Sequence, residues 1–398
     1  MKKTAGTLLL VWFVTVCLLL GCSRPNTIKF EPAEANTEGF HEINAAEKVD
    51  GGVLFYDGEK LIYEKEGKRK ELADYVTSLW REDDSIYYIS DEVLYTYDMK
   101  TKKEQKMVEK PHRILGKYKD QIISYSGRNI YAIQGTKKKK IFKDGYYLNR
   151  ALLYGNKVYG IPAKNVYAYD LDTLEVSKVT KKKHDMARFF MAGDDLCIMM
   201  GYYKNKQMEI EKYEYYKVTD TGMKRIFTVM GNSYTDAAAI VKDGFFVTKT
   251  IEDYERKGNR LFYVSEGKNR TIDEDYYYNL IGIYGQKLLY YKSTSYFYED
   301  TLKTFYLYDG IKSVKAFDLN VKFCEGMSGY EYEDGILIEV VYESKTYLYK
   351  YDGKTVKEVK LPEYIYRINY LDIIDGKAYI NYSDGEESFE RLGMIVEL

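Results

Sequence analysis

The sequence predicts an all-β chain, and three observations predict it. Short runs alternate tyrosine with other residues at period 2. Asp-Gly pairs stand at the ends of many of these runs. The run-and-turn unit then recurs along the chain from about residue 40. Period-2 alternation is the signature of a strand, and Asp-Gly is the strongest short hairpin cue because both residues tolerate positive φ. No stretch beyond the first 21 residues keeps apolar residues at i, i+3, i+4 and i+7 with caps.

The alternating run is clearest at Val93–Asp98, Val166–Asp170, Phe305–Asp309 and Tyr347–Asp352. An apolar-aromatic run precedes it and a Lys- and Val-rich run follows it. Asp-Gly occurs at 50–51, 57–58, 243–244, 309–310, 334–335, 352–353, 375–376 and 384–385. The leading hairpin strands begin near Gly52, Ser85, Gln121, Lys157, Leu196, Gly244, Lys287, Gly335 and Lys377. A multi-strand unit repeating every ~40–50 residues reads as a propeller blade. A four-stranded blade cannot bury both of its faces alone, and radial stacking buries them while leaving short, protected edges. Nine hairpins exceed the usual range, so the expectation is a β-propeller of about eight four-stranded blades, within seven to nine. Ring closure is assigned to Thr27-Ile28-Lys29-Phe30, as a fourth strand for the hairpin at Lys377–Leu398.

Composition agrees with a packed domain: 398 residues, 45% hydrophobic, 16% aromatic, with 45 tyrosines. Most of these tyrosines are expected to pack ring faces between sheets. A formal charge of −1 supplies no basic footprint for nucleic acid and no polybasic membrane signal. Of four cysteines, Cys197 and Cys324 sit in apolar runs and read as buried thiols, with a long-range disulfide as the alternative. No metal-ligand spacing is present.

The N-terminus carries its own signal. Lys2 and Lys3 precede a 13-residue apolar run, Leu8 to Leu20, a length that suits a secretion signal and falls short of a membrane span. Leu19-Leu20-Gly21-Cys22 follows at once. This stretch resembles the lipobox of bacterial lipoproteins. The resemblance implies removal of residues 1–21 and attachment of a diacylglycerol-type lipid to Cys22, which would hold the chain on the extracytoplasmic face of the cell membrane. Residues 22–39 then read as lipidated Cys and tether, and 40–398 as the propeller domain. The repeated hairpin, best seen in Ser85–Ile89 followed by Leu94–Asp98, resembles the TolB-like extracellular propellers of bacterial lipoproteins. The chain lacks a Trp-Asp pair, a Tyr-Trp-Thr-Asp run and a sialidase-type Ser-x-Asp-x-Gly-x-Thr-Trp box.

Chemistry is sparse in the sequence. His41, His112 and His184 stand apart from one another and read as solvated loop residues. No Gly-x-Ser-x-Gly elbow and no phosphate loop is present. Asp83, Asp84, Asp194, Asp195, Asp273, Glu274 and Asp275 fall near turns. They read as solvated turn acids, or as paired channel carboxylates of a glycan-active propeller. The basic runs Lys137–Lys140 and Lys181–Lys183 read as solubilising hairpin tips, or as contacts to an acidic wall polymer. The binding candidates are three aromatic clusters: Tyr276-Tyr277-Tyr278, Tyr296-Phe297-Tyr298, and Tyr213 with Tyr215 and Tyr216. Consecutive aromatics put rings on both faces of a strand, so either one set meets solvent or both are buried between blades. Exposed tyrosines suit protein interfaces and sugar stacking.

The expected function is a non-enzymatic binding or scaffolding module with no cofactor, anchored to the membrane by its lipid and partnered by a surface protein or glycan. A surface glycan hydrolase or lyase is one alternative. A small-ligand sensory lipoprotein is the other. A two-lobed transport binding protein needs alternating helices and strands and is disfavoured.

Overall fold

A strand whose two faces are both covered loses its alternation, and one at a rim becomes charged. This rule sorts the strands of the chain. In a computed structural model the described residues are 39–126, 129–142, 149–161, 164–192, 194–204, 210–220, 222–230, 240–241, 244–253, 256–265, 268–293, 302–321, 326–332, 335–361, 364–385 and 392–398. They contain strands and no helix. The apolar run of each repeat is the second strand of a sheet, as in Gly335–Tyr342, where the first six residues are buried. The Tyr-alternating run is the third strand. The Lys-rich run is the outer fourth strand, as in Lys103–Glu109, whose first four residues are exposed.

Nine antiparallel units follow one another. Blades 1 to 5 span Ala46–Asp74, Val76–Glu109, Arg113–Phe142, Asn149–Lys178 and Met186–Met230. Blades 6 and 7 span Ile240–Tyr276 and Tyr277–Asn320 and share the 17-residue strand Lys268–Tyr284, so that they form one seven-stranded sheet. Blades 8 and 9 span Gly326–Val359 and Arg367–Glu397. The nine second strands start at Gly52, Ser85, Gln121, Lys157, Asp195, Gly244, Lys287, Gly335 and Lys377, which are the expected hairpin starts to within one residue. The fold is a β-propeller of nine blades, at the top of the expected range.

The core is distributed in the same way. Among the described residues, nine hydrophobic clusters each lie between successive blades. Trp80, Ile89 and Leu94 of blade 2 meet Ile114, Ile122 and Ile133 of blade 3. The cluster of Ala45, Ala46, Phe55, Ile62 and Tyr379 joins blade 9 to blade 1. First strands contact first strands, as with Ala46–Val49 and Arg367–Ile374, so the first strand of each blade is nearest the axis.

Thr27–Phe30 lies outside the described residues, and blade 9 shows three strands among the described ones. The described N-terminal strand, His41–Glu42, pairs with the first strand of blade 2 through His41↔Arg81 and Glu42↔Trp80. This strand lies along the inner edge of blade 2, because the first strand of each blade is nearest the axis.

The repeated Asp that ends the third strand has a local task. The carboxylates of Asp98, Asp170, Asp309 and Asp352 each accept the backbone N–H groups two and three residues on, at 2.6 to 3.0 Å. Such turns favour Asp because its side chain replaces a backbone acceptor. Not every Asp-Gly glycine serves a positive φ. Gly244 and Gly335 begin second strands, and a Cβ there would stand 2.3 and 2.2 Å from the carbonyl oxygens of Val264 and Tyr351.

Strand alternation gives the ring two unlike ends. Strands 1–2 and 3–4 of each blade are joined at one end, the turn face, by short turns. Strands 2–3 and successive blades are joined at the other end, the loop face. His41 pairs with Arg81, beside the turn after Glu82. The described chain therefore enters the ring at the turn face.

Candidate binding face

The second strand of blade 5 and the second and third strands of blade 6 run to nine or ten residues, against five or six in blades 1 to 3. Their additional length projects toward the loop face. There Tyr276 and Tyr277 stand where the shared strand passes from blade 6 to blade 7. Tyr277 pairs with Ser293, two residues short of the tyrosine-rich connection that follows. Tyr296, Phe297 and Tyr298 lie outside the described residues.

The three tyrosines of the shared strand divide. Tyr276 is 38% exposed, Tyr277 is half-buried, and Tyr278 is buried between blades 6 and 7. Lys292 sits between two rings, 4.7 Å from the centroid of Tyr276 and 4.5 Å from that of Tyr306. Its ammonium donates to Asp273 Oδ2 at 2.8 Å, and the Tyr290 hydroxyl donates to the same oxygen at 3.1 Å. The Ser313 hydroxyl in turn donates to the Tyr290 oxygen at 2.7 Å. Burial, with the Asp273 charge nearby, raises the hydroxyls of Tyr278 and Tyr290 well above the usual phenol range. This is a cation held between aromatic faces with its counter-ion beside it.

The blade 5 cluster corrects the sequence expectation. Tyr213 and Tyr215 are 1% and 0% exposed. They pack with Phe227, Phe245 and Val247 between blades 5 and 6 and present no binding surface, because their side of the third strand is the one blade 6 covers. Tyr216 points the other way and is half-buried. Its hydroxyl donates to Glu214 Oε2 at 2.6 Å, and Lys212 and Arg225 reach Glu214 Oε1 at 3.0 Å each. Burial opposes the charge on Glu214. The Tyr216 hydroxyl, Lys212 and the Tyr202 hydroxyl outweigh it and bring the carboxyl down to about 2.

Exposed tyrosines occur elsewhere on the same face. Tyr75 links blade 1 to blade 2, Tyr364 links blade 8 to blade 9, and Tyr370 lies in the first strand of blade 9; they are 68%, 49% and 36% exposed. Tyr75 stands alone in its linker; Tyr364 and Tyr370 belong to Tyr364-x-Tyr366-x-x-x-Tyr370, a spaced run without consecutive aromatics, with Tyr370 at a register shift.

The remaining candidates fall outside this face or inside the packing, except for Lys181–Lys183. Asp83 and Asp84 form a turn on the turn face, with Asp84 paired to Lys100. Asp194 and Asp195 are also at a turn-face hairpin, and Asp195 pairs with Lys217 at 2.5 Å. Asp273, Glu274 and Asp275 are on the outer strand of blade 6, away from the axis. Lys137–Lys140 open the outer strand of blade 3, and Lys181–Lys183 lie exposed in the blade 4–5 link. His41 bonds Glu47 at 2.8 Å. His184 is not solvated as expected. It is 1% exposed, neither ring nitrogen has a hydrogen-bond partner among the described residues, and burial lowers its pKa. Cys197 is buried and free, its thiol pushed up to about 12 by that burial. Cys22 and Cys324 are outside the described residues.

No known family model matches the chain, and no curated protein does. Solved structures do match in fold. Dipeptidyl peptidase 4 of Porphyromonas gingivalis has a TM-score of 0.50 at 11% identity, over 92% of this chain and 58% of that one. The acylaminoacyl peptidase of Pyrococcus horikoshii gives 0.44 at 15%, over 81% of this chain and 50% of that one. The β-propeller domain of the Trilobed protease from Pyrococcus furiosus gives 0.37 at 11%, over 81% and 96%. The chain thus spans little more than half the length of the two peptidases. At these identities the likeness is one of fold.

Proposed function

We propose that this chain is a lipid-anchored extracytoplasmic lipoprotein whose propeller binds a partner at the cell surface without catalysing a reaction. The lipobox-like Leu19-Leu20-Gly21-Cys22 supports the anchor, as does the resemblance of the repeat to TolB-like lipoprotein propellers. One observation carries the binding role: Tyr75, Tyr276, Tyr364 and Tyr370, exposed by 36% or more, all belong to the loop face. The chain enters at the opposite face, so a tether at Cys22 leaves these tyrosines turned outward. Exposed tyrosine supplies large, rigid contact area with a hydrogen-bonding tip, which suits a protein partner or a stacked sugar.

The test is a cross-linking pull-down of the tagged protein from its native membrane, with Cys22→Ser as the unanchored control. The expected result is one partner recovered with the anchored protein and lost, at unchanged melting temperature, in the Tyr276→Ala, Tyr364→Ala, Tyr370→Ala triple variant. Equal recovery with that variant removes the loop-face assignment. Turnover of a glycan or peptide by the purified protein, abolished by one carboxylate substitution, replaces the non-enzymatic reading with the hydrolase or lyase one.

A further inference from the structure

Exposed aliphatic side chains follow a different rule from exposed tyrosines. Leu174, Val176, Ile311 and Val314, each 48% to 53% exposed, stand at or beside the 3–4 turns of blades 4 and 7, on the turn face. On the loop face, Leu302 is the exposed aliphatic among the described residues. Leu174 has φ 59, a left-handed conformation that a bulky L-residue rarely adopts. The turn thus holds a leucine side chain in solvent against its own backbone preference.

Beside Leu174, between blades 3 and 4, a cleft of about 380 Å³ opens on the same face. Ile123, Ala132, Ile141 and Leu171 line it with apolar surface. Lys119, Lys137 and Lys139 also line it. Lys119 is committed to Asp172 at 2.7 Å. The outer strand alternates, so Lys138 turns away to the carbonyls of Glu109 and Lys110, and it and Lys140 lie over Tyr131. Lys137 and Lys139 are exposed, and their ammonium groups enter no ion pair among the described residues. Asp120, also at the cleft, is engaged by the Gln134 amide.

We infer that this cleft takes an anionic phospholipid of the membrane, its phosphate between Lys137 and Lys139 and its acyl chain along Ile123, Ile141 and Leu171. Two features point to a lipid: two cations without an ion pair among the described residues above an apolar floor, and aliphatic side chains in water at the mouth; the opening lies on the face where the chain enters from the Cys22 side. Leu174 and Val176 then enter the interfacial layer, and Ile311 and Val314 of blade 7 supply a second contact. The orientation rests on the proposed anchoring. The lipid chemistry of the cleft does not.

The experiment is vesicle co-sedimentation of the chain from Ser23 onward, whose ring closes on itself within residues 39–398. Vesicles are phosphatidylcholine alone or phosphatidylcholine with phosphatidylglycerol. Binding is expected on the mixed vesicles. It should weaken about fivefold for each of Lys137→Gln and Lys139→Gln, a factor set by the attraction of one lysine to an anionic bilayer. Leu174→Asn, which suits the left-handed turn, should weaken it further, and Lys181→Gln with Lys183→Gln on the loop face should leave it unchanged. Equal binding to both vesicles, or no loss in the Lys137 and Lys139 variants, overturns the inference. Equally tight binding to soluble polyglycerol phosphate, insensitive to Leu174→Asn, overturns it in favour of an acidic polymer. Palmitate labelling at Cys22 in cells tests the anchor separately: labelling without vesicle binding removes the cleft inference alone, and vesicle binding without labelling removes the anchor alone.

Discussion

Two junctions of the ring are built in opposite ways. Blades 6 and 7 share the strand Lys268–Tyr284, which pairs with blade 6 up to Tyr276 and with blade 7 from Tyr277. Nine buried residues, among them Tyr263, Tyr278, Tyr290 and Tyr308, fill the space between them. Among the described residues, blades 9 and 1 share no strand, and their cluster holds five buried residues. There Asp372 Oδ2 accepts the N–H groups of Ala45 and Ala46 at 2.7 and 3.0 Å, and Asn381 donates to the Tyr56 carbonyl at 3.1 Å. A local junction rests on continuous backbone and aromatic packing. The seam joins residues more than 320 positions apart and must offset the loop-closure entropy of nearly the whole chain. It does so by capturing main-chain groups with buried or half-buried polar side chains.

The seam is therefore where one substitution should cost most. Asp372→Ala leaves two buried N–H groups without their charged acceptor and should lower unfolding stability by about 3 kcal/mol, at about 1.5 for each charge-assisted bond. Urea unfolding measures it, and a loss below about 1 kcal/mol would mean that the apolar cluster alone closes the ring. Gly393 tests the same seam sterically. A Cβ there would lie 2.3 to 2.5 Å from the main chain of Asp57, so Gly393→Ala should cost about 2 kcal/mol by overpacking. Gly326→Ala is the matched control, because a Cβ at Gly326 meets nothing within 4 Å, and it should stay within about 0.5 kcal/mol of the parent. Equal melting temperatures for the two variants would show that blade 9 moves freely against blade 1.

The contrast also marks what the sequence could reveal. The second strands were legible because each is a local apolar run opened by a turn, and all nine starts were found. The Asp after each Tyr-alternating run was legible because its hydrogen bonds reach only two and three residues. Asp372 was not, since its partners Ala45 and Ala46 are remote and neither end carries a local pattern. Tyrosine runs located the strands and misjudged exposure: period 2 says that Tyr213 and Tyr215 share a face, and only the neighbouring blade decides that the face is buried. Tyr75 was missed as a single residue in a linker, and Tyr364 and Tyr370 because the tyrosines of their stretch are spaced by other residues and not consecutive. His184 follows three lysines and reads as solvated, yet the link turns it inward, where its backbone N–H bonds the Lys164 carbonyl and the next residue's N–H bonds the Gly201 carbonyl.

The junction of blades 6 and 7 should tolerate the loss of its polar contact. In Lys292→Met the thioether keeps the slot between Tyr276 and Tyr306, where sulfur packs well against aromatic edges. Asp273 keeps the Tyr290 hydroxyl as a donor, and the shared strand is untouched. The Lys292 and Asp273 side chains are 17% and 20% exposed, so solvent screens the pair and its removal forfeits less than a fully buried one. The expected loss is about 1 kcal/mol, a third of that at Asp372, read from the same urea series. A loss for Lys292→Met equal to or above that for Asp372→Ala would reverse the comparison. It would mean that the cation between the two rings, and not the continuous strand, holds blade 7 against blade 6.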